Sequence, residues 1–140
     1  MKLKTLLTFL ATLALSFNMA LAEDDTPLAQ EMKTMNKNLR TLKKQVANAS
    51  LKDANLKLIA EIKKTIAASM KLEPAKTKDV PAAEKAAYIE KYKQQMTDLA
   101  KTYDEIEAAI KSGKTEDAQK AMEKLGEQKE KGHKDFGACE

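Results

Sequence analysis

The sequence has 140 residues, with 25 Lys and Arg against 21 Asp and Glu, one histidine, one cysteine and no tryptophan. So mild a balance argues against a nucleic-acid partner, whose binding calls for a dense basic stripe. A single cysteine rules out an internal disulfide, so the core is held by packing, by a ligand, or by both.

The chain opens with Met1-Lys2-Leu3-Lys4, runs through apolar residues from Leu6 to Leu15, and reaches Ala20-Leu21-Ala22 before Glu23-Asp24-Asp25. Basic start, apolar middle and small residues at the end are the layout of a secretory signal peptide, with cleavage expected after Ala22. The apolar run is too short for a membrane-spanning helix. Residues 1–22 are therefore expected to be removed, leaving residues 23–140 as one domain in an oxidising compartment, the periplasm, with no membrane contact. That chain of 118 residues carries 23 basic and 21 acidic side chains and suits a single core.

Ala, Lys, Glu, Leu and Gln dominate the remainder, and Gly and Pro stay near segment ends, a composition that favours helix throughout. Leu28, Met32, Met35, Leu39, Leu42 and Val46 follow alternating spacings of four and three, predicting a first helix from about Pro27 to Ala47. Asn48-Ala49-Ser50 breaks the pattern, and Ser50 with Asp53 is expected to start a second helix. Its inward set reads Leu51, Ala54, Leu58, Ile62 and Ile66. Lys71 to Pro81, which includes Pro74 and lacks periodicity, reads as the longest loop.

The cleanest stripe follows, with Ile89, Tyr92, Met96, Leu99, Tyr103, Ile106 and Ile110 on one face of a third helix. Ser112-Gly113 ends it, glycine supplying a left-handed cap. Thr115 and Asp117 open a fourth helix with Ala118, Met122, Leu125, His133 and Phe136 inward, interrupted by Gly126 and Gly132. Four helices with short first and third connections predict an all-α, antiparallel up-down-up-down bundle. That topology sets the start of helix 1 beside the end of helix 4, so that Met32 and His133 face each other.

Methionine and histidine are an axial pair for haem iron, the thioether favouring the reduced state. Separately each residue says little: a methionine on an apolar stripe ordinarily fills core, and a histidine near a chain end is ordinarily solvated. Together, in a bundle short of large aromatic side chains, they mark an apolar end with room for a porphyrin. Gly132 removes bulk beside His133, or simply begins a fraying terminus. Phe136, one turn on, is placed to cover a ring face. Two other readings stay open on the residues: soft-metal binding, with Met32, Met35 and His133 as ligands to Cu(I), and a haemless helical bundle, such as a periplasmic chaperone, that has lost its cofactor. No triad, phosphate loop or carboxylate pair suggests an enzyme.

The segment Leu28-Ala29-Gln30-Glu31-Met32-Lys33-Thr34-Met35-Asn36-Lys37-Asn38-Leu39-Arg40 resembles the opening helix of the cytochrome b562 family, with its Met-x-Thr-Leu-Asn-x-Asn-Leu pattern. Gly113-Lys114, Glu116, Ala118-Gln119, Leu125 and Gly132-His133-Lys134-Asp135-Phe136 are similar to the family's last loop and helix. The middle of the chain matches in pattern rather than identity. The resemblance implies a periplasmic electron carrier with one non-covalent b-type haem, Met32 as axial methionine and His133 as axial histidine. Met35 stands where the family has leucine, which puts a second thioether one turn away and admits a switch of ligand. A helix 3 phenylalanine that packs on the haem in the family is replaced here by candidates Met96, Leu99 and Tyr103. His133 has no Cys-x-x-Cys before it, so attachment through thioether bonds is not expected. Cys139, six residues beyond His133 in a terminal segment, is expected to link a fraction of an otherwise monomeric protein into a dimer. The redox partner protein is not identified by the sequence.

Overall fold

The computed structural model describes residues 26–137, and the expected signal peptide and Cys139 lie outside them. Four helices fill this range: α1 (Pro27–Gln45), α2 (Lys52–Ser69), α3 (Lys85–Lys111) and α4 (Thr115–Phe136). They run up-down-up-down, as the short connections predict. α1 packs along α2, α3 along α4, and α2 along α3. Among the described residues no comparable backbone packing joins α1 to α4.

Local chemistry sets the helix ends. Thr26 Oγ1 accepts the Ala29 N–H at 3.1 Å, Pro27 occupies the first turn, and Lys43 and Lys44 sit in the last turn, where cations favour the helix C-terminus. The start of the second helix differs from expectation. Asn48, not Ser50, provides the cap: its Oδ1 accepts the Ser50 N–H at 3.0 Å and opens a single 3-10 turn, Ala49–Leu51, that runs into α2. Asp53 does fall in the first turn of α2. The expected loop also holds a short 3-10 helix, Ala75–Asp79, entered from the buried Pro74. Gly113, at φ 72°, makes the tight α3–α4 turn as its position implies.

The inward face of α2 is rotated from the one expected. Asn55, Ile59, Ile62, Thr65, Ile66 and Ser69 are buried, whereas Ala54 is exposed and Leu51 and Leu58 are only partly covered. α2 packs on both α1 and α3, and the arc it covers takes in polar positions as well as Ile62 and Ile66 of the expected set. Asn55 is accommodated by donating its Nδ2 to the Gln45 carbonyl at 3.3 Å, and the Ser69 carbonyl accepts the Tyr92 hydroxyl at 3.0 Å. These bonds close the two α2 ends onto α1 and α3.

The tightly packed core comprises Leu42, Ile59, Ile62, Ile66, Ile106 and Leu125, each at most 2 % exposed. Tyr103 lies among them at 1 % exposed, and burial pushes its phenol well above the usual tyrosine pKa. Towards the start of α1 and the end of α4 the core loosens into an open cleft.

Candidate functional site

The cleft is walled by α1, α3 and α4 and contains about 1080 Å³ of empty space, its mouth included. It exists because α1 and α4 stay apart along the seam where the first and last helices meet.

Met32 and Met35 reach it from α1, and His133 and Phe136 from α4. All four residues expected at a site are thus brought together. Met35 and Phe136 are 9 % and 8 % exposed, while Met32 and His133 are half-buried nearer the opening. The α3 wall contributes Tyr92, Met96, Leu99 and Tyr103, so the three residues considered in place of the family phenylalanine all line the cleft. Gly132 also lines it, within regular α4 helix. A Cβ there would meet only Gln95 Oε1 at 3.8 Å, an ordinary contact. The protein's own packing therefore does not demand glycine at 132; the missing side chain leaves extra width beside His133.

The turn bearing His133 is anchored to α3 by several contacts. Gln95 Nε2 donates to Asp135 Oδ2, Lys91 pairs with the same carboxylate at 3.1 Å, and the Tyr88 hydroxyl donates to the Asp135 carbonyl at 3.4 Å. The Lys91 ammonium, with help from the Gln95 amide, holds the Asp135 carboxyl below the usual carboxylate range. Phe136 sits edge-to-face against Tyr88 and Tyr92, with centroids 5.2 and 5.3 Å away. Its part is hence double, closing the cleft end and pinning the last turn.

One turn back, Gln128 Nε2 donates to the Asp98 carbonyl at 3.3 Å, while its buried Oε1 has no partner among the described residues. Gln95, Asp98 and Gln128 were not anticipated as cleft residues. Their spacing held a signal, since Gln95 is three residues after Tyr92 and Gln128 three after Leu125, each next to an inward stripe.

Residues 27–136 match the cytochrome b562 family profile. The chain belongs to the cytochrome b562 family. No curated protein and no solved structure gives a significant match. Cytochromes b562 are electron carriers built around a b-type haem and its iron, and membership accounts for the antiparallel four-helix bundle.

The cleft fits that group. Its walls are mostly apolar, it is open along one side, and it offers a thioether and an imidazole from opposite helices, both recognised ligands of haem iron. Among the described residues no cluster of three or more His, Cys, Asp or Glu side chains offers a metal site of another kind. No helix among them is long and apolar enough to cross a membrane.

Proposed function

We propose that this protein is a periplasmic electron carrier that holds one non-covalent haem b between Met32 and His133. The observation that carries the reading is the arrival of those two side chains in one apolar cleft from α1 and α4. Bound haem supplies a one-electron iron couple. The Met32 thioether, a soft donor, would favour the reduced state and raise the potential, and the His133 imidazole would be the second donor. With Met32 and His133 both holding the group, no place would be left for a substrate, which supports electron transfer rather than catalysis.

Met96, Leu99 and Phe136 line the walls and would keep water from a bound group. Retention rests on this packing and on the two donors, because Lys129-Glu130-Lys131-Gly132-His133 contains no cysteine for covalent attachment. The single cysteine, Cys139, is left for the intermolecular disulfide that an oxidising compartment favours. Residues 1–22 are read as the segment that directs export and residues 23–140 as the haem domain.

Visible spectra of the haem-loaded protein test the reading. Wild type is expected to be low-spin in both oxidation states, His133→Ala to lose that spectrum, and Met32→Ala to lose the methionine signature of the reduced form. A Met32→Ala spectrum identical to wild type would reassign the thioether ligand to Met35.

A further inference from the structure

The haem reading uses one thioether, yet the cleft holds three. Five methionines fall within the described residues; Met32, Met35 and Met96 line the cleft, whereas Met70 and Met122 do not. Met122 is buried among core side chains, the ordinary use of methionine. Met35 and Met96 are equally well buried, but both border the open space of the cleft. Leu99, on the same wall as Met96, shows that the wall itself does not call for sulfur.

These thioethers and the chain's one histidine come from all three walls. Met32 and Met35 stand three residues apart on α1 and so share a face, with Cβ atoms about 5–6 Å apart. Met96 belongs to α3 and His133 to α4. Methionine is unbranched with three rotatable bonds, so its sulfur can swing towards a common point. The His133 imidazole makes no hydrogen bond or ion pair among the described residues, which leaves its ring nitrogens free as donors. Met35 and Met96 lie deep, and Met32 and His133 lie nearer the mouth. An ion between them would meet donors from three directions and at two depths.

The donor set selects the ion. All four donors are uncharged when the imidazole is neutral, and thioethers are soft ligands that favour copper(I). The one carboxylate among the lining residues, Asp98, is turned to other partners: its Oδ1 accepts Gln94 Nε2 at 3.1 Å and pairs with Lys101 at 3.4 Å. A divalent ion would carry two charges into an apolar cleft with no carboxylate or thiolate to offset them, and an unpaired buried charge is costly. A monovalent soft ion carries half that charge and keeps its preferred ligands.

We propose that the haem-free cleft is a copper(I) site in which Met32, Met35, Met96 and His133 hold one ion. Met32 and His133 belong to both ligand sets, so copper(I) and haem exclude each other. The proposal goes beyond the electron-carrier reading and does not depend on it, since it concerns the chain without haem.

The test titrates the haem-free protein, residues 23–140, anaerobically with tetrakis(acetonitrile)copper(I) against the chromogenic chelator bathocuproine disulfonate. One equivalent of copper(I) is expected to be withheld from the chelator, and Cys139→Ser should withhold as much. Met35→Leu with Met96→Leu conserves volume and removes two donors. Loss of the partners behind a metal's ligands weakens binding by about 10- to 100-fold, so loss of two ligands should weaken it by at least about 100-fold. Met70→Leu with Met122→Leu removes as many sulfurs from outside the cleft and should leave the affinity unchanged. Far-ultraviolet dichroism checks that each variant is folded. Copper K-edge absorption of the wild type needs no variant and should show sulfur together with an imidazole nitrogen.

A ligand shell of nitrogen and oxygen alone would overturn the proposal, as would equal effects of the two methionine pairs. Loss of binding in Cys139→Ser would overturn it in favour of the terminal thiol, and equally tight uptake of zinc(II) would overturn the soft-donor assignment. In protein that takes up haem with a low-spin spectrum, haem should release the copper to the chelator; copper retained beside it would place the ion elsewhere. Failure of the electron-carrier reading is separately visible, as a wild type that withholds copper(I) but gives no low-spin spectrum with haem.

Discussion

Gln95 of α3 donates its amide N–H to Asp135 of α4 at 2.5 Å, two residues from His133 and against the thin wall left by Gly132. The bond ties the proposed ligand's helical turn to the opposite wall of its own cleft. Gln95→Ala is expected to free that turn, so that the low-spin spectrum fades on warming before the helical signal does and haem dissociates several-fold faster. Asp135→Asn, which keeps an acceptor for Gln95 while discarding the Lys91 ion pair, should retain wild-type behaviour. Coincident loss of spectrum and helicity in Gln95→Ala would show a general stability effect instead.

Met35 is buried against the core and lines the cleft, yet Met32 lies nearer the opening that His133 also borders. Met35→Leu conserves volume and is expected to cost less than about 1.5 kcal/mol. Its reduced spectrum and potential should match the wild type. A collapse of the low-spin form would identify Met35 as the ligand.

Ile62 is fully buried and does not line the cleft, so it separates fold from site. Ile62→Ala should destabilise the bundle by about 2–5 kcal/mol through lost burial and a residual cavity. The folded fraction should keep an unaltered haem spectrum. Denaturant titration followed by visible absorbance and by far-ultraviolet dichroism reads both quantities in one sample.

Lys63 of α2 bridges to Asp104 and Glu107 of α3, and Lys111 also pairs with Glu107. Hydrogen bonds from Lys111 and Lys63 lower the Glu107 carboxyl below its ordinary 4.5, so its stabilisation is present above 4.5 and lost as pH falls through the lowered value. Bonds to Asp104 and Glu107 raise Lys63 above its ordinary 10.5, so that contribution is present below 10.5 and lost as pH rises beyond. Buried Tyr103, also raised, adds to the alkaline loss. The groups of the ion-pair network are partly solvated, and each pair is worth no more than about 1 kcal/mol. Melting temperature against pH should therefore show a broad neutral plateau, with the acid limb shallower in Glu107→Gln than in wild type.

Helices, their order and the residues at the cleft were legible because the stripes of α1, α3 and α4 each face one way. Met32, Met35, His133 and Phe136 stand on such stripes, and simple antiparallel topology brings their ends together. α2 was less readable. Leu58 and Ile59 are adjacent, Asn55 is a buried amide, and periodicity alone could not choose between two overlapping apolar faces. Gln95 and Gln128 carried only a weak signal, their spacing beside Tyr92 and Leu125, because the bonds that draw them to the cleft, to Asp135 and to the Asp98 carbonyl, come from a different helix distant in sequence.

The open seam between α1 and α4 has a consequence for the chain as a polymer. The helix pairs that do pack closely are consecutive in sequence, so nothing in that packing directly cross-ties the first helix to the last. A group coordinated by both Met32 and His133 closes a loop of about a hundred residues, and for a covalent cross-link of that span the entropy removed from the unfolded chain is worth about 4.7 kcal/mol. Coordination is reversible, so the tie holds only while both donors stay bound. Haem would then be the clasp of an otherwise linear string of hairpins, and loss of either donor would release the chain's two ends as well as the iron.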